Sequence, residues 1–280
     1  MRAVPPPELA VVIPTRDRAA YLDVALASLT AQCARRPTEI VVVDDGRGPG
    51  TAAVADRHGV RRIVPPRPGL NAARNSGVAA TEAPLVAFLD DDVRLLAGWR
   101  DALVAGAARW SEAAVFGGPI RARFEGPAPR ACGREPAPIT TLDLGRADGV
   151  VPIVWGANFA VRRTAVARYG RFDETIHGHG DEEDWILALR AAGGRVVYLA
   201  AAGVEHRRAG NDARLRALAR AAYHRGRRAR VSDERRGGPP SRVDEVRVLA
   251  GCAWHTVRRA CPQGVIMGAQ ALGRLVQALG

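Results

Sequence analysis

"LVAFLDDD", residues 85–92, is five apolar residues running into three consecutive carboxylates. A strand that is apolar on both faces belongs in a sheet covered on both sides. Adjacent carboxylates at its end repel one another and resist desolvation, so they either form a solvated acidic turn that caps the helix near 98 or share a hard divalent cation. Working outward, "LAVVIP" (9–14) reads as a buried strand stopped by Pro14. "EIVVVDD" (39–45) is a second β-branched strand that also ends in acids. Between them, "AAYLDVALASLTAQ" (19–32) carries apolar residues at 22, 25, 26 and 29, one face of a helix. Helices at about 50–58 and 70–80 flank a short strand "RRIV". Alternating strands and helices predict an α/β fold with a mostly parallel central sheet and helices on both faces. In such sheets ligands collect at the carboxyl ends of the strands, where Asp44, Asp45, Asp90, Asp91 and Asp92 all fall.

The composition narrows the classes. A chain of 280 residues with 47% hydrophobic content can bury a full core. The net charge of +12 invites a nucleic-acid reading. Residues 207–236, however, hold eleven Arg against Asp212, Asp233 and Glu234, and aromatics are only 5% of the chain. A nucleic-acid-binding protein would need a basic face with exposed aromatics or a groove-reading helix. The reading is therefore no nucleic-acid partner. Cys33, Cys132, Cys252 and Cys261 form no pair at metal-ligand or redox spacing, which predicts reduced thiols in a cytoplasmic protein. The first apolar run is too short for a signal segment, and no 18-residue window is apolar enough to span a membrane.

Further along, residues 121–151 are rich in Pro, Gly and Arg and read as a surface excursion. Asp181, Glu182, Glu183 and Asp184 open a helix; four acids exceed what the helix dipole rewards. The glycine-flanked "IHGHG" before them suggests a carboxylate delivered by a mobile loop. His206 follows the strand "RVVYL" (195–199). From residue 212 the pattern is helical and Arg-studded, interrupted by "RGGPPSR" (236–242). Val243, Val246, Leu249, Ala253 and Val257 mark a helix, with packing on the core as the default. "GVIMGAQALGRLVQALG" (264–280) has the apolar character of an interfacial membrane helix.

Together "VVIPTRDRAAYLDVALASLTAQ", "EIVVVDDGRGPGT", "GLNAARNSGVAA", "PLVAFLDDDV", "WGANFAVRR" and "GDEEDWILALRAAGGRVVYLAAAGVEH" resemble, in order and spacing, the family 2 glycosyltransferases of GT-A fold. The resemblance covers residues 8–208. It implies a catalytic domain over 1–208, with a nucleotide-binding half at 8–120 and an acceptor-side half at 121–208, followed by an Arg-rich helical extension at 209–280. Pro14, Thr15, Arg16, Asp44, Asp45, Arg74, Asp90 and Asp91 then fall at nucleotide-sugar-binding positions, and Asn75 supports its helix. Asp90 and Asp92 match the outer positions of a metal-binding D-x-D element, with His206 as third ligand of a divalent cation, Mn or Mg. Glu182 matches the general base, which is Asp in most members; Asp184 is the next acid, and Asp181 and Glu183 complete the cluster from which a slipped loop would draw the base. Trp155, Gly156, Asn158 and Trp185 fall on the acceptor side.

The activity implied is inverting transfer of a sugar from a nucleoside-diphosphate sugar, UDP favoured, to the hydroxyl of a glycan, lipid-linked sugar or small molecule. Peripheral contact with the inner face of the membrane would run through the C-terminal extension. Two other enzymes compete. A haloacid-dehalogenase-type phosphatase would need its nucleophile pair near the first strand, a Thr or Val where Arg94 stands, and a lysine, of which the chain has none. A sugar nucleotidyltransferase would need a Gly-rich N-terminal loop, which is absent.

Overall fold

The computed structural model describes residues 6–34, 36–130, 132–133, 138–176 and 181–279, with the side chain of Asp181 excluded. The elements run β1 (Leu9–Thr15), α1 (Ala19–Cys33), β2 (Thr38–Asp44), α2 (Gly50–Arg57), β3 (Arg61–Ile63), α3 (Leu70–Ala79), β4 (Leu85–Leu89), β5 (Val93–Leu95) and α4 (Trp99–Arg109). They continue through β6 (Ala113–Gly117), β7 (Ile120–Glu125), β8 (Gly149–Val150), β9 (Asn158–Arg162), α5 (Arg163–Tyr169), α6 (Asp181–Ala191), β10 (Arg195–Tyr198) and β11 (Val204–Ala209). Three long helices follow: α7 (Leu215–Arg235), α8 (Arg242–Arg259) and α9 (Pro262–Leu279). The chain divides into two compact units, one of Met1–Arg121, Thr141–His177 and Asp181–His206, the other of Ala122–Thr140, Gly178–Gly180 and Arg207–Gly280.

The first unit is built on an eight-stranded sheet in the order β3-β2-β1-β4-β9-β6-β10-β8. The β1–β2, β1–β4, β2–β3 and β6–β10 pairs are parallel. β9 runs antiparallel to both its neighbours, β4 and β6, a reversal that an apolar run alone does not encode. The strand period of two sorts the core into two layers. Leu9, Val11 and Ile13 of β1 pack with Leu22, Leu26 and Leu29 of α1 and with Trp99 and Leu103 of α4. Ala10 and Val12 pack on the opposite face with Ala73 of α3, Ala165 of α5 and Ile186 of α6. The four apolar positions read from α1, Leu22, Ala25, Leu26 and Leu29, are all fully buried.

In the second unit α9 packs along α7 and α8. A Cβ on Gly226 would lie 2.0 Å from the Gln270 carbonyl oxygen, and one on Gly273 would lie 2.1 Å from that of Tyr223, so α7 and α9 meet backbone to backbone. The inward face of α8 carries Glu245 and Cys252. Glu245 is buried because Arg274 donates to it at 2.6 Å, while the same guanidinium reaches Asp233 at 2.7 Å. That ion network sets the rotation of α8. Val243, Val246 and Val257, read in the sequence as packing positions, are therefore exposed. The apolar segment 264–280 buries Ile266 and Ala271 within this unit and leaves Val265, Leu272, Val276 and Leu279 exposed. Among the described residues no helix is long and apolar enough to cross a membrane.

Candidate functional site

From β1 the chain proceeds to β2 and β3 on one side and then returns to β4 on the other. In open α/β sheets ligands bind where the connections diverge in this way, at the carboxyl ends of the strands, here β1 and β4. The acidic triplet follows β4 directly. Thr15, the last residue of β1, donates its hydroxyl to Asp91 Oδ2 at 2.7 Å. Arg18 donates to Asp91 Oδ1 at 2.7 Å and to Asp92 Oδ2 at 2.8 Å. Its guanidinium also lies 4.4 Å from the Tyr21 ring centre.

The third group comes from far along the chain. β11 pairs antiparallel with β5, setting His206 opposite Val93, the residue after Asp92. His206 Nε2 lies 3.2 Å from Asp92 Oδ1, with both side chains buried. One ligand atom each from Asp90, Asp92 and His206 lies within 4.8 Å of the others. Burial pushes the Asp90 pKa up, with the charge of Asp92 adding to it and His206 and Arg74 opposing. Burial likewise pushes Asp91 up to about 7, against the pull of Arg18. For Arg18 burial acts to lower the pKa, but the charges of Asp92 and Asp91 outweigh it and hold the value above the usual arginine range. Burial and the mutual repulsion of the carboxylates thus both act against full ionisation of the cluster. Two carboxylates with an imidazole form a donor set for a divalent cation such as Mn2+, and the three residues fit one.

A second constellation adjoins it. Arg74 on α3 is 2% exposed and places Nη2 3.5 Å from Glu182 Oε2, at the start of α6. The backbone N–H of Gly156 donates to Glu182 Oε1 at 2.8 Å. A Cβ at Gly156 would come within 2.7 Å of Arg74 Nη2 and 2.9 Å of the Glu182 carboxyl carbon, so glycine is what lets the three approach. Arg74 is held further by Asn71 at 3.0 Å and by the faces of Phe159 and Phe172. Asp90 feels the charges of both Arg74 and Glu182, which brings this constellation into the same electrostatic neighbourhood as the triplet.

The remaining sequence candidates divide. Asp44 is buried and engaged by the Gly46 N–H at 3.0 Å and by Arg62 at 3.0 Å. Asp45 accepts from the Gly69 N–H at 3.2 Å, with Arg16 at 3.9 Å. Pro14 is half-buried in β1 and Asn75 ties α3 to the Phe172 carbonyl at 2.9 Å. Trp155 packs partly against the α1 layer of the core. Asn158 accepts from the Trp99 indole at 2.9 Å and donates to the Ala202 carbonyl at 2.8 Å, which makes it an internal strut. Trp185 donates to the Gly170 carbonyl at 2.9 Å and packs on Phe172. Glu183 and Asp184 follow Glu182, half-buried. The "HGHG" stretch and the Asp181 side chain lie outside the described residues.

Arg18 is the site residue that sequence reading missed. Arg16, read for the nucleotide role, has a side chain 69% exposed, 3.9 Å from Asp45. Asp17 between them adopts φ 54, and its carboxylate accepts the N–H groups of Arg47 and Gly48 at 3.0 and 3.1 Å. Aspartate tolerates the left-handed region better than most residues, and "TRDR" was the available signal for a turn that re-aims the second arginine.

Comparison with known proteins adds the family. A model of glycosyl transferase family 2 matches residues 10–170. The pre-mycofactocin glycosyltransferase of Mycobacterium tuberculosis H37Rv is 33% identical over 209 residues, 71% of this chain and 42% of that one. The succinoglycan biosynthesis protein ExoM of Rhizobium meliloti strain 1021 is 28% identical over 202 residues, 69% of this chain and 64% of that one. The chain thus spans less than two thirds of the length of these relatives. Among solved structures, GalNAc-T7 with UDP, GalNAc and Mn2+ has a TM-score of 0.59 at 16% identity, covering 79% of this chain and 50% of that one. The mannosyltransferase PcManGT from Pyrobaculum calidifontis, in complex with GDP-Man and Mn2+, has a TM-score of 0.55 at 17% identity, covering 98% and 73%. At these identities the likeness is one of fold, the GT-A type of α/β sheet.

Proposed function

Because the chain belongs to glycosyl transferase family 2, we propose that it transfers a sugar from a nucleoside-diphosphate sugar, UDP first, to an acceptor hydroxyl with inversion at the anomeric carbon. The observation that carries this reading is the convergence of Asp90, Asp92 and His206 at the strand ends, beside the Arg74–Glu182–Gly156 constellation. Asp90, Asp92 and His206 would hold a divalent cation, Mn2+ or Mg2+, which would supply positive charge to offset the negative charge developing on the departing diphosphate. Arg18 and Thr15 fix Asp91 and so brace the triplet. Asp45, the residue after β2, takes the nucleotide role, with its carboxylate accepting the Gly69 N–H.

Glu182 takes the proton from the acceptor hydroxyl as that oxygen attacks. Arg74 and the Gly156 amide hold its carboxylate in place. General-base help of this kind is worth about 10² to 10⁴ in rate. The acceptor is a glycan, a lipid-linked sugar or a small molecule bearing a hydroxyl.

Support for peripheral membrane contact comes from α8. At 100° per residue, Val243, Val246, Trp254 and Val257 fall within an arc of about 80°, and all four are exposed on a helix that also carries Arg242, Arg247 and Arg258. Such a face suits an anionic membrane surface.

A thermal-shift panel of nucleoside diphosphates and their sugars, with and without Mn2+, tests the donor reading. UDP or a UDP-sugar should raise the melting temperature only with the metal, since a ligand of the folded state stabilises in proportion to its affinity. A panel in which no nucleotide shifts the transition under either condition would remove the reading.

A further inference from the structure

Three side chains in the second unit meet that the transfer reaction does not use. Cys132 comes from the Pro- and Gly-rich excursion after β7, His255 from the last turns of α8, and Cys261 from the α8–α9 turn. One ligand atom each, two Sγ and a ring nitrogen, lies within 4.8 Å of the others. The turn explains how Cys261 arrives there. Ala260 ends α8 in the left-handed conformation at φ 46, Pro262 starts α9, and the Cys261 N–H reaches back to the Thr256 carbonyl at 3.2 Å. Cys261 is thereby buried beside the helix turn that carries His255.

The Cys132–His255 spacing matches that of two ligands on a tetrahedral ion, and Cys261 lies within 4.8 Å of both. With Zn–S of about 2.3 Å and Zn–N of about 2.0 Å, tetrahedral ligands stand about 3.5 to 3.8 Å apart. The Cys132 Sγ to His255 Nε2 distance is 3.6 Å, and the Cys132 Sγ to Gln263 Oε1 distance is 3.8 Å. We propose that Cys132, His255 and Cys261 bind a thiophilic divalent cation, Zn2+ foremost, with a fourth position for water beside the Gln263 amide oxygen.

Binding converts two thiols to thiolates and releases their two protons to solvent, so the site adds no net charge to an Arg-rich unit. Thiolate and imidazole select Zn2+ over the Mn2+ or Mg2+ suited to Asp90 and Asp92. The ion clips the excursion to the α8–α9 turn, closing a long loop, the kind of cross-link whose constraint on the unfolded chain is largest.

The test uses the full chain, purified under reductant, stripped with a chelator and titrated with Co2+. A sulfur-to-cobalt charge-transfer absorption with tetrahedral visible bands should saturate at one equivalent and vanish on adding Zn2+. The carboxylate cluster has no sulfur and cannot produce that absorption. Cys132→Ser and Cys261→Ser should each abolish it, and His255→Ala should weaken Co2+ binding by about tenfold or more. Cys33→Ser and Cys252→Ser should leave it unchanged. The unaltered chain, desalted after Zn2+ loading, should retain one equivalent, a measurement independent of how the variants fold. Absence of the sulfur absorption in the unaltered chain would overturn the proposal. So would its persistence in both serine variants, or a Cys132–Cys261 disulfide that forms in preference to metal binding under mild reductant.

Discussion

His206 Nε2 sits 3.2 Å from Asp92 Oδ1, and the β5–β11 ladder is what holds it there. His206 faces Val93 in that register, so a one-residue slip would turn the imidazole to the opposite face. A short stretch of antiparallel pairing thus completes a cluster whose other members come from the β4 end.

Glu182→Gln should cut turnover by about 10² to 10⁴, while the affinity for the metal–nucleotide pair changes by less than about threefold. The glutamine keeps the shape that the Gly156 N–H and Arg74 hold but cannot take a proton. Steady-state kinetics beside calorimetric nucleotide binding separate the two effects. Unchanged turnover would remove Glu182 from the role.

Arg18→Met should lower the stability of the metal-free chain by roughly 1 to 3 kcal/mol, because Asp91 and Asp92 lose their shared partner. The figure stays below that of a fully buried pair, since the Arg18 side chain is 36% exposed. Mn2+ should then stabilise the variant more than the parent, having more uncompensated charge to neutralise. Thermal melts with and without Mn2+ measure the difference; equal metal-induced shifts would contradict it.

Gly156→Ala should destabilise by about 1 to 3 kcal/mol through overpacking against Arg74 and Glu182. It should also lower turnover by moving the Glu182 carboxylate. In a Glu182→Gln background the turnover loss should largely disappear, because the two changes act on one group. A double-mutant cycle on kcat reads the coupling, and additive losses would separate Gly156 from Glu182.

Trp254→Ser with Val257→Ser should abolish co-sedimentation with vesicles containing anionic lipid, with transfer to a water-soluble acceptor unchanged. Both residues are exposed on α8. No binding of the parent chain to such vesicles would contradict the membrane contact.

Much of the first unit was legible because its strands are apolar on both faces, a pattern that only a covered sheet satisfies. The reversed direction of β9 was not, since apolar runs carry no polarity. Asp92 and His206 could be paired in advance only through their spacing within a family pattern. Arg18 escaped because its engagement depends on the left-handed turn at Asp17. The outward face of α8 was misread for a physical reason: the buried Glu245–Arg274 pair turns a polar face inward, against the rule that apolar residues lead. The meeting of Cys132 with His255 and Cys261 left no trace in spacing, because Cys132 stands 123 residues before His255, in a segment remote from the end of α8 and the turn after it that supply the other two.

The most direct test of the central claim is calorimetric titration of UDP into the chain and into Asp92→Asn and His206→Ala, with and without Mn2+. UDP should bind the parent only when Mn2+ is present, with that dependence lost in both variants while their metal-free folds persist. Equal UDP affinity in the presence and absence of Mn2+, or undiminished metal-dependent binding in both variants, would contradict it.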